Sequence, residues 1–476
     1  MKINKQFLTA LLVFLVLGVC TLLLFFLLPS AAHGAAAEPV TLSDRAQNAF
    51  ASAEVTNAGG SYTVTAEDGV FACDLLVGLP VSQAAFEQLA QQCTSLTAEG
   101  PVAPPSGSGT VPDYGFDHPL AQVKAAYSDG GGIFIEVGAQ IAGTDQYYIR
   151  VDHSASVYRI GKEAIRCLLA DISAYLDLSL TPDGADGDTL PSRISVTTGA
   201  QSLQLEKLPL PETDGVGFSY RYRLAGDRAA YVDPDAYETY FGELGELEAD
   251  GVVTMRPTSV DLKEYGLADE EACDSISFTM LGESVRLRLG NRSGDFYYVL
   301  REGVPAIYRL SRLAVTWEDA DEYALMSRYL MAPALDKVQE ILIEGGGVRY
   351  HFTLQNGSAS LDGTPLTAST FDSFYALLCS LRAEYKLGAP AQNIPPDLTV
   401  TFVYTDRAAP TASPAPEDVE ASPYRTDVIR FIPYGPKRHA IEINGAALYA
   451  VRSTYATKVL GVLATLQDGQ QVSASW

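Results

Sequence analysis

Apolar and polar side chains alternate with a period of two through most of this chain, and the alternation is interrupted at intervals by stretches of helical spacing. Val285-Arg286-Leu287-Arg288-Leu289 is the plainest case. Successive side chains of a strand point to opposite faces, so such a segment has one buried and one solvated side. The pattern predicts a hairpin over 54–56 and 62–65 with its turn at 57–60, then strands at 122–127, 133–137, 147–151 and 157–160. The same order returns at 194–197 and 202–205 around Gly199, followed by 275–280, 285–289, 296–300 and 307–310. A third set reads 341–344, 349–354, 398–404, 428–432, 440–443 and 448–451. Each set contains two helical stretches, at 82–98 and 162–176, at 234–249 and 317–330, and at 371–384 and 454–466. In the first of them Phe86, Leu89, Ala90 and Cys93 follow i, i+3, i+4, i+7 spacing behind Ser82, a good N-cap. Runs of strands punctuated by single helices predict an α+β protein with antiparallel sheets, each covered on one face by helices.

The three sets are copies of one another. Residues 143–160, GTDQYYIRVDHSASVYRI, return without a gap at 293–310 as SGDFYYVLREGVPAIYRL. Asp145/Asp295, Tyr147/Tyr297, Tyr148/Tyr298, Tyr158/Tyr308 and Arg159/Arg309 are identical. A repeat so long exceeds a solenoid turn of roughly 20–50 residues and implies duplication of a whole domain. The expected units are 53–181, 193–331 and a divergent third at 338–468, in which a Pro/Ala insertion at 407–424 replaces a tight turn. Gly445 and Tyr449 match Gly303 and Tyr308.

The N-terminus reads differently. Lys2 and Lys5, within residues 1–6, precede an uncharged apolar run at 7–28, long enough to cross a bilayer as a helix. The lysines place residues 1–6 on the cytoplasmic side and the bulk of the chain outside. A cleaved secretory signal is the alternative, with small residues at Ala35, Ala36 and Ala37; its apolar region is usually shorter, and the length favours a retained anchor. Val19 before Cys20, and the apolar residues after it, argue against lipidation. Residues 29–52 read as a small, polar spacer.

The net charge of −25 opposes binding to nucleic acid. Five cysteines follow the anchor, widely spaced and odd in number, so no disulfide framework is indicated; Cys73 and Cys93 are the one pair close enough to entertain. The five histidines are scattered, and no metal, nucleophile or dinucleotide motif is present. The glycine triplets at 130–132 and 345–347 join strand to strand, so they read as hairpin turns and not phosphate cradles. Asp183, Asp186 and Asp188 read as an inter-unit linker, since a calcium loop needs a terminal Glu. The adjacent pairs Tyr147/Tyr148 and Tyr297/Tyr298 are the candidate partner-binding residues: one ring of each faces the core, and the other packs on a neighbour or stacks on a sugar or partner surface. Arg159 and Arg309 are expected to pair with Asp145 and Asp295. Only that aspartate recurs in register, before a strand, which argues against a duplicated catalytic pair and against an enzyme. No catalytic residue, metal or cofactor is assigned.

The anchor, the entries Tyr114-Gly115-Phe116 and Tyr265-Gly266-Leu267, and the Tyr-Tyr…Val-Tyr-Arg-Ile pattern together resemble the domain-of-unknown-function 4340 family. The resemblance covers residues 113–178 and 265–330 well and the third unit poorly. It implies a bacterial, membrane-anchored accessory protein beside an ABC transporter of the gliding-motility auxiliary type, and it carries no catalytic residues. The resulting expectation is a non-enzymatic, single-pass extracytoplasmic protein that binds a transporter-type membrane partner. The alternative is a cell-wall or glycan-binding envelope protein.

Overall fold

The computed structural model describes residues 38–102, 113–199, 201–225, 230–387, 394–407 and 424–467. The expected anchor at 7–28, residues 1–6 and most of the 407–424 insertion lie outside the described residues. Among the described residues no helix is long and apolar enough to cross a membrane.

Three antiparallel sheets hold all 26 strands of the described residues. The first contains β1 (Pro39–Asp44), β2 (Phe50–Asn57), β3 (Gly60–Glu67), β4 (Val70–Cys73), β5 (Ser95–Glu99), β6 (Ala121–Tyr127), β7 (Gly132–Gln140), β8 (Gln146–Val151) and β9 (Tyr158–Gly161). The second contains β10 (Arg193–Thr198), β11 (Gln201–Thr213), β12 (Ser219–Leu224), β13 (Gly251–Met255), β14 (Asp274–Met280), β15 (Glu283–Ser293), β16 (Phe296–Arg301) and β17 (Ala306–Ser311). The third contains β18 (Val338–Gly345), β19 (Val348–Gln355), β20 (Ser358–Leu361), β21 (Thr364–Pro365), β22 (Tyr385–Lys386), β23 (Leu398–Arg407), β24 (Tyr424–Pro433), β25 (Arg438–Ile443) and β26 (Ala446–Arg452). The sheets share one strand order. In the second it runs β12-β11-β10-β14-β15-β16-β17-β13, and the first and third follow it with one strand added at an edge, β1 and β21 respectively. The class is therefore α+β with strands predominant, and the divergent third copy keeps the topology of the other two.

Each sheet buries one face against short helices. Helix Gln83–Thr94 is capped by Ser82, whose side chain accepts from the Ala85 amide, and it buries Phe86, Leu89, Ala90 and Cys93. Phe86 stacks on Tyr175 with ring centres 4.8 Å apart. In the second sheet Tyr237, on helix Pro234–Phe241, stacks on Tyr222 at 4.5 Å. In the third, helices Ala368–Cys379 and Thr454–Gln467 cover the face; Phe352 stacks on Phe374, and the Tyr455 hydroxyl donates to the Leu378 carbonyl at 2.6 Å.

Several expectations from the sequence are corrected. The helix expected to run to residue 98 ends at Thr94, and β5 follows it; β13 and β22 occupy the equivalent place in the other sheets. Leu96, three residues after Cys93, continues the helical stripe and also opens the alternation completed by Ala98, so the stripe does not mark the boundary there. The helix expected at 162–176 is three short turns, because Ala170 and Asp171 are extended and the Asp171 side chain caps a fresh turn at the Ser173 amide. Asp321 interrupts 317–330 in the same way, accepting from the Ala324 amide. The spacer at 29–52 contains β1 and the start of β2, with Val40 and Leu42 half-buried and Ser43 bonded to the Thr94 carbonyl at 3.0 Å. All five described cysteines are free and buried, so Cys73 and Cys93 form no bridge.

The chain divides into two compact units, residues 1–177 and 178–476, so the second and third sheets share a unit. The end of β11 and the turn into β12 join them. Asp214, 9 % exposed, accepts from the Val216 and Phe218 amides at 3.0 and 2.9 Å and from the Tyr220 hydroxyl at 2.5 Å. The turn so fixed inserts into the third sheet's core: Val216 packs on that core and the Gly215 amide donates to the Ala332 carbonyl at 2.9 Å. A Cβ on Gly215 would lie 2.5 Å from the Pro333 oxygen. Beside the turn, Glu212 accepts from Tyr231 at 2.6 Å and Lys337 at 3.0 Å, and its carboxyl is held below the usual range by the Tyr231 bond and then by Lys337. Removing a buried acceptor of three bonds leaves donors unsatisfied. Asp214→Ala is therefore expected to lower the stability of the second unit by about 2–4 kcal/mol in urea denaturation. An unchanged midpoint would show that the turn does not hold the two sheets together.

Candidate functional site

The repeated tyrosines lie on β8 and β16, next to the last long strand of each sheet. Tyr147 and Tyr297 point to the core face and are 8 % and 9 % exposed. The Tyr297 hydroxyl donates to both Glu318 oxygens at 2.9 and 2.8 Å, and burial followed by this bond pushes its pKa up. Tyr148 and Tyr298 point to the opposite face and are half-buried. The Tyr148 ring meets Tyr114 edge-on with centres 4.8 Å apart, and the Tyr298 ring meets Tyr265 at 4.5 Å and 53°. The rings that repeat in β8 and β16 thus pack on the rings that repeat in the entry segments. Arg159 and Arg309 do not reach Asp145 and Asp295 as expected: Arg159 pairs with Glu99 at 3.5 Å and Arg309 lies 4.8 Å over Phe296. The aspartates act through their backbone, their carbonyls accepting from the Lys162 and Arg312 amides at 2.9 Å.

The entry segments are clasps across the second face of each sheet. The Tyr114 carbonyl accepts from the Ala139 amide at 2.8 Å, and the Tyr265 carbonyl accepts from the Asn291 amide at 2.7 Å. Both amides lie where the register shifts, between Val137 and Gln140 in β7 and between Leu289 and Arg292 in β15. A bulge leaves a residue out of the ladder, and the clasp carbonyl satisfies its amide. Two glycines on each side make the approach possible. Gly115 and Gly266 take φ of 77° and 73°, which favours glycine. A Cβ on Gly138 or Gly290 would lie 2.2 Å from the clasp carbonyl itself. In the second sheet the clasp closes a small apolar cluster of Leu267, Leu300 and Ile307, with Leu262, Tyr265 and Tyr298 against it.

Under each clasp sits one charged side chain. Glu136, 2 % exposed, receives both forks of Arg150, at 2.6 and 3.0 Å, and approaches His153 at 3.3 Å. Arg150 in turn lies 4.4 Å over the Phe116 ring of the clasp. The Arg150 bond outweighs burial and holds the Glu136 carboxyl below the usual range. Strand pairing aligns Val137, Leu289 and Phe431, each opposite the first residue of the preceding strand. The residues one position before them are Glu136, Arg288 and Arg430. Arg288 donates to the Leu267 carbonyl of its clasp at 3.1 Å and lies 3.6 Å from Glu270; Arg430 pairs with Glu442 at 2.8 Å, reversing the polarity of the first sheet. In the third sheet Ile432 stands where Gly138 and Gly290 do, and it packs with Leu387, Ala440 and Ala450.

Tyr114, Tyr265 and the paired tyrosines are legible in the sequence, whereas Gly138, Gly290 and the charged position are not. The tyrosines of β8 and β16 are 150 residues apart, while Gly138 and Gly290 are 152 apart because the intervening hairpin changes length, so an ungapped comparison does not align them. Among the described residues no group of His, Cys, Asp and Glu is arranged to hold a metal ion. What this arrangement does chemically is bind one piece of backbone to another and bury a charge beneath it.

Two expectations follow from the clasp geometry. Gly138→Ala and Gly290→Ala force the clasp carbonyl away and are expected to cost about 1–3 kcal/mol each by thermal or urea unfolding. Gly161→Ala, with φ of −70° and nothing within 4 Å of the new Cβ, is expected to stay within about 0.5 kcal/mol of the parent. Equal effects at all three sites would remove the clasp from the account of stability. Because the folded Glu136 carboxyl has the lower pKa, the unfolded state binds the proton more readily, and stability rises with pH through that window. Its contribution is complete above the ordinary value of 4.5 and disappears as pH falls through the folded value. Glu136→Gln is expected to be less stable than the parent above this range and to converge with it in acid; a pH-independent gap between the two contradicts the ion pair.

A family model described as Domain of unknown function (DUF4340) matches the chain twice, over residues 76–258 and 222–392. The two matches overlap and together span about two thirds of the 476 residues, taking in both clasps and the junction at Asp214. Comparison with curated proteins and with solved structures finds no match. By the extent of the family match, the chain belongs to the DUF4340 family.

Proposed function

We propose that this protein is a non-enzymatic, membrane-anchored extracytoplasmic scaffold that binds a membrane partner as an accessory subunit of an ABC-type export system. The observation that carries the non-enzymatic part is the position beneath the clasp. By strand pairing it has an equivalent in all three sheets, beneath a clasp in the first two and beside Ile432 in the third. It is Glu136, Arg288 and Arg430 in turn, with ion-pair polarity reversed between the first and third sheets. A duplicated catalytic site must keep the chemistry of its acid or base, whereas a position that only needs a satisfied charge can exchange sign. The anchor part rests on the apolar run at 7–28 behind Lys2 and Lys5. The transporter part rests on the kinship first suggested by the clasp and tyrosine residues. Tyr148 and Tyr298, the rings on which a glycan-binding reading depends, give part of their surface to Tyr114 and Tyr265, and for that reason a protein partner is preferred.

The test is crosslinking of the full chain in its native membrane, followed by capture and identification of what is attached. Recovery of a transporter-type membrane protein, at a level that falls when residues 7–28 are replaced by a cleavable signal, is the expected result. Capture that yields no membrane protein, or that retains only wall polymer, overturns the proposal.

A further inference from the structure

On a chain of net charge −25, positive side chains gather around the edge strand β22 of the third sheet. Arg438 and Arg452 face each other across β25 and β26, and Lys386 on β22 pairs with β26 beside them. Arg382 lies 5.0 Å over the Tyr329 ring, and Arg328 lies 5.2 Å over the Tyr323 ring. The Arg328 carbonyl accepts from the Ala383 amide at 2.8 Å, which ties these two arginines to one surface. Lys437 precedes Arg438, and all six cations are exposed.

Their pairing is incomplete. Glu384 receives both Arg438 and Arg452, at 3.3 and 2.6 Å, and Glu322 receives Lys386 at 2.8 Å. Among the described residues Arg328, Arg382 and Lys437 have no carboxylate within the 4.0 Å of an ion pair. The tyrosines below the two arginines are themselves held, Tyr329 by Phe218 at 5.3 Å and Tyr323 by Tyr449 at 6.3 Å. A guanidinium resting on a fixed ring keeps its N–H edge turned outward and loses less freedom on meeting a carboxylate than a free side chain does. Such a face fits carboxylates presented by a folded acidic surface.

The same compact unit presents that surface. Asp183, Asp186 and Asp188 lie in the loop before β10, and Glu243, Glu246 and Glu248 lie in and after the turn at 242–246; all six are exposed. The Gly187 amide donates to Glu246 at 3.1 Å, and Ser179 bridges Glu248, which brings the two stretches together. Among the described residues none of the six lies within ion-pair distance of a cation. Cations without carboxylates and carboxylates without cations thus occur on one unit without meeting within it.

We propose that the arginine–tyrosine face at β22 binds the acidic surface of a second copy of this chain. Because the two surfaces differ, the contact is heterologous and runs head to tail, not about a two-fold axis. The net charge of each copy opposes approach, but charges farther apart than about 8 Å are screened at physiological ionic strength. Contact energy is then set by the facing side chains, and the two excess charges have opposite sign there.

Sedimentation velocity on the full chain in mild detergent tests this with reciprocal variants. The parent protein is expected to associate with rising concentration, and less so in high salt. Arg328→Glu with Arg382→Glu, and separately Glu243→Lys with Glu246→Lys, are each expected to weaken association by about tenfold or more. An equimolar mixture of the two variants restores it, because each then offers the surface the other lacks. Far-ultraviolet dichroism melts confirm that each variant is folded, and Arg382→Gln, which removes only charge, supplies a milder variant with a smaller loss in the same direction. A parent that stays monomeric at every concentration, variants that associate like the parent, or a mixture that stays monomeric overturns the proposal.

Discussion

Each of the first two sheets depends on a single backbone hydrogen bond made across its second face, from the bulged amide of Ala139 or Asn291 to the carbonyl of Tyr114 or Tyr265. A bulge alone leaves a polar group unsatisfied, and a strand of ordinary residues keeps a crossing segment at a distance. Here both problems have one solution. Gly138 and Gly290 remove the side chain in the way, and Gly115 and Gly266 turn the crossing segment so that its carbonyl points down. Once that bond is made, Tyr148 and Tyr298 acquire a packing partner, Phe116 covers Arg150, and Leu267 closes a second small core. The third sheet dispenses with the glycine, and Ile432 fills the space with a side chain.

Alternation carried most of the architecture. The strands of the central ladder appear at their places because a sheet with one dry face imposes period two on its sequence. The terminal strands of each sheet were hidden for different reasons. β5 contains Leu96, which also continues the helical stripe from Cys93, β22 has only two residues, and β1 sits in a stretch whose small polar residues mask the half-buried Val40 and Leu42. The short helical turns at 162–175 and 316–325 reflect capping by Asp171 and Asp321, which an apolar stripe does not reveal. Of the clasp, the tyrosines were legible and the receiving glycines were not, since the hairpin between them and β8 or β16 changes length. Contacts between sheets, such as Asp214 with the third core, lie beyond any local pattern.

A scaffold repeated three times and varied in charge suits a protein that presents surfaces. The charge at this strand position changes sign from the buried Glu136 to the half-buried Arg430, and in the third sheet Ile432 stands where the first has Gly138. On the outside, Arg328, Arg382 and Lys437 near β22 and the carboxylates near 183–188 and 243–248 make no ion pair among the described residues. Membership of the DUF4340 family sets this architecture in a wider group without assigning it an activity.

The most direct measurement is amide hydrogen exchange, resolved by residue, at Ala139 and Asn291. Two amides at bulges, outside the regular ladder, are expected to exchange as slowly as the central strands, because the clasp carbonyls hold them. Rapid exchange at both positions, in a protein whose β6 and β14 amides remain protected, would mean that the clasps are not closed and that the tyrosine packing does not organise the fold.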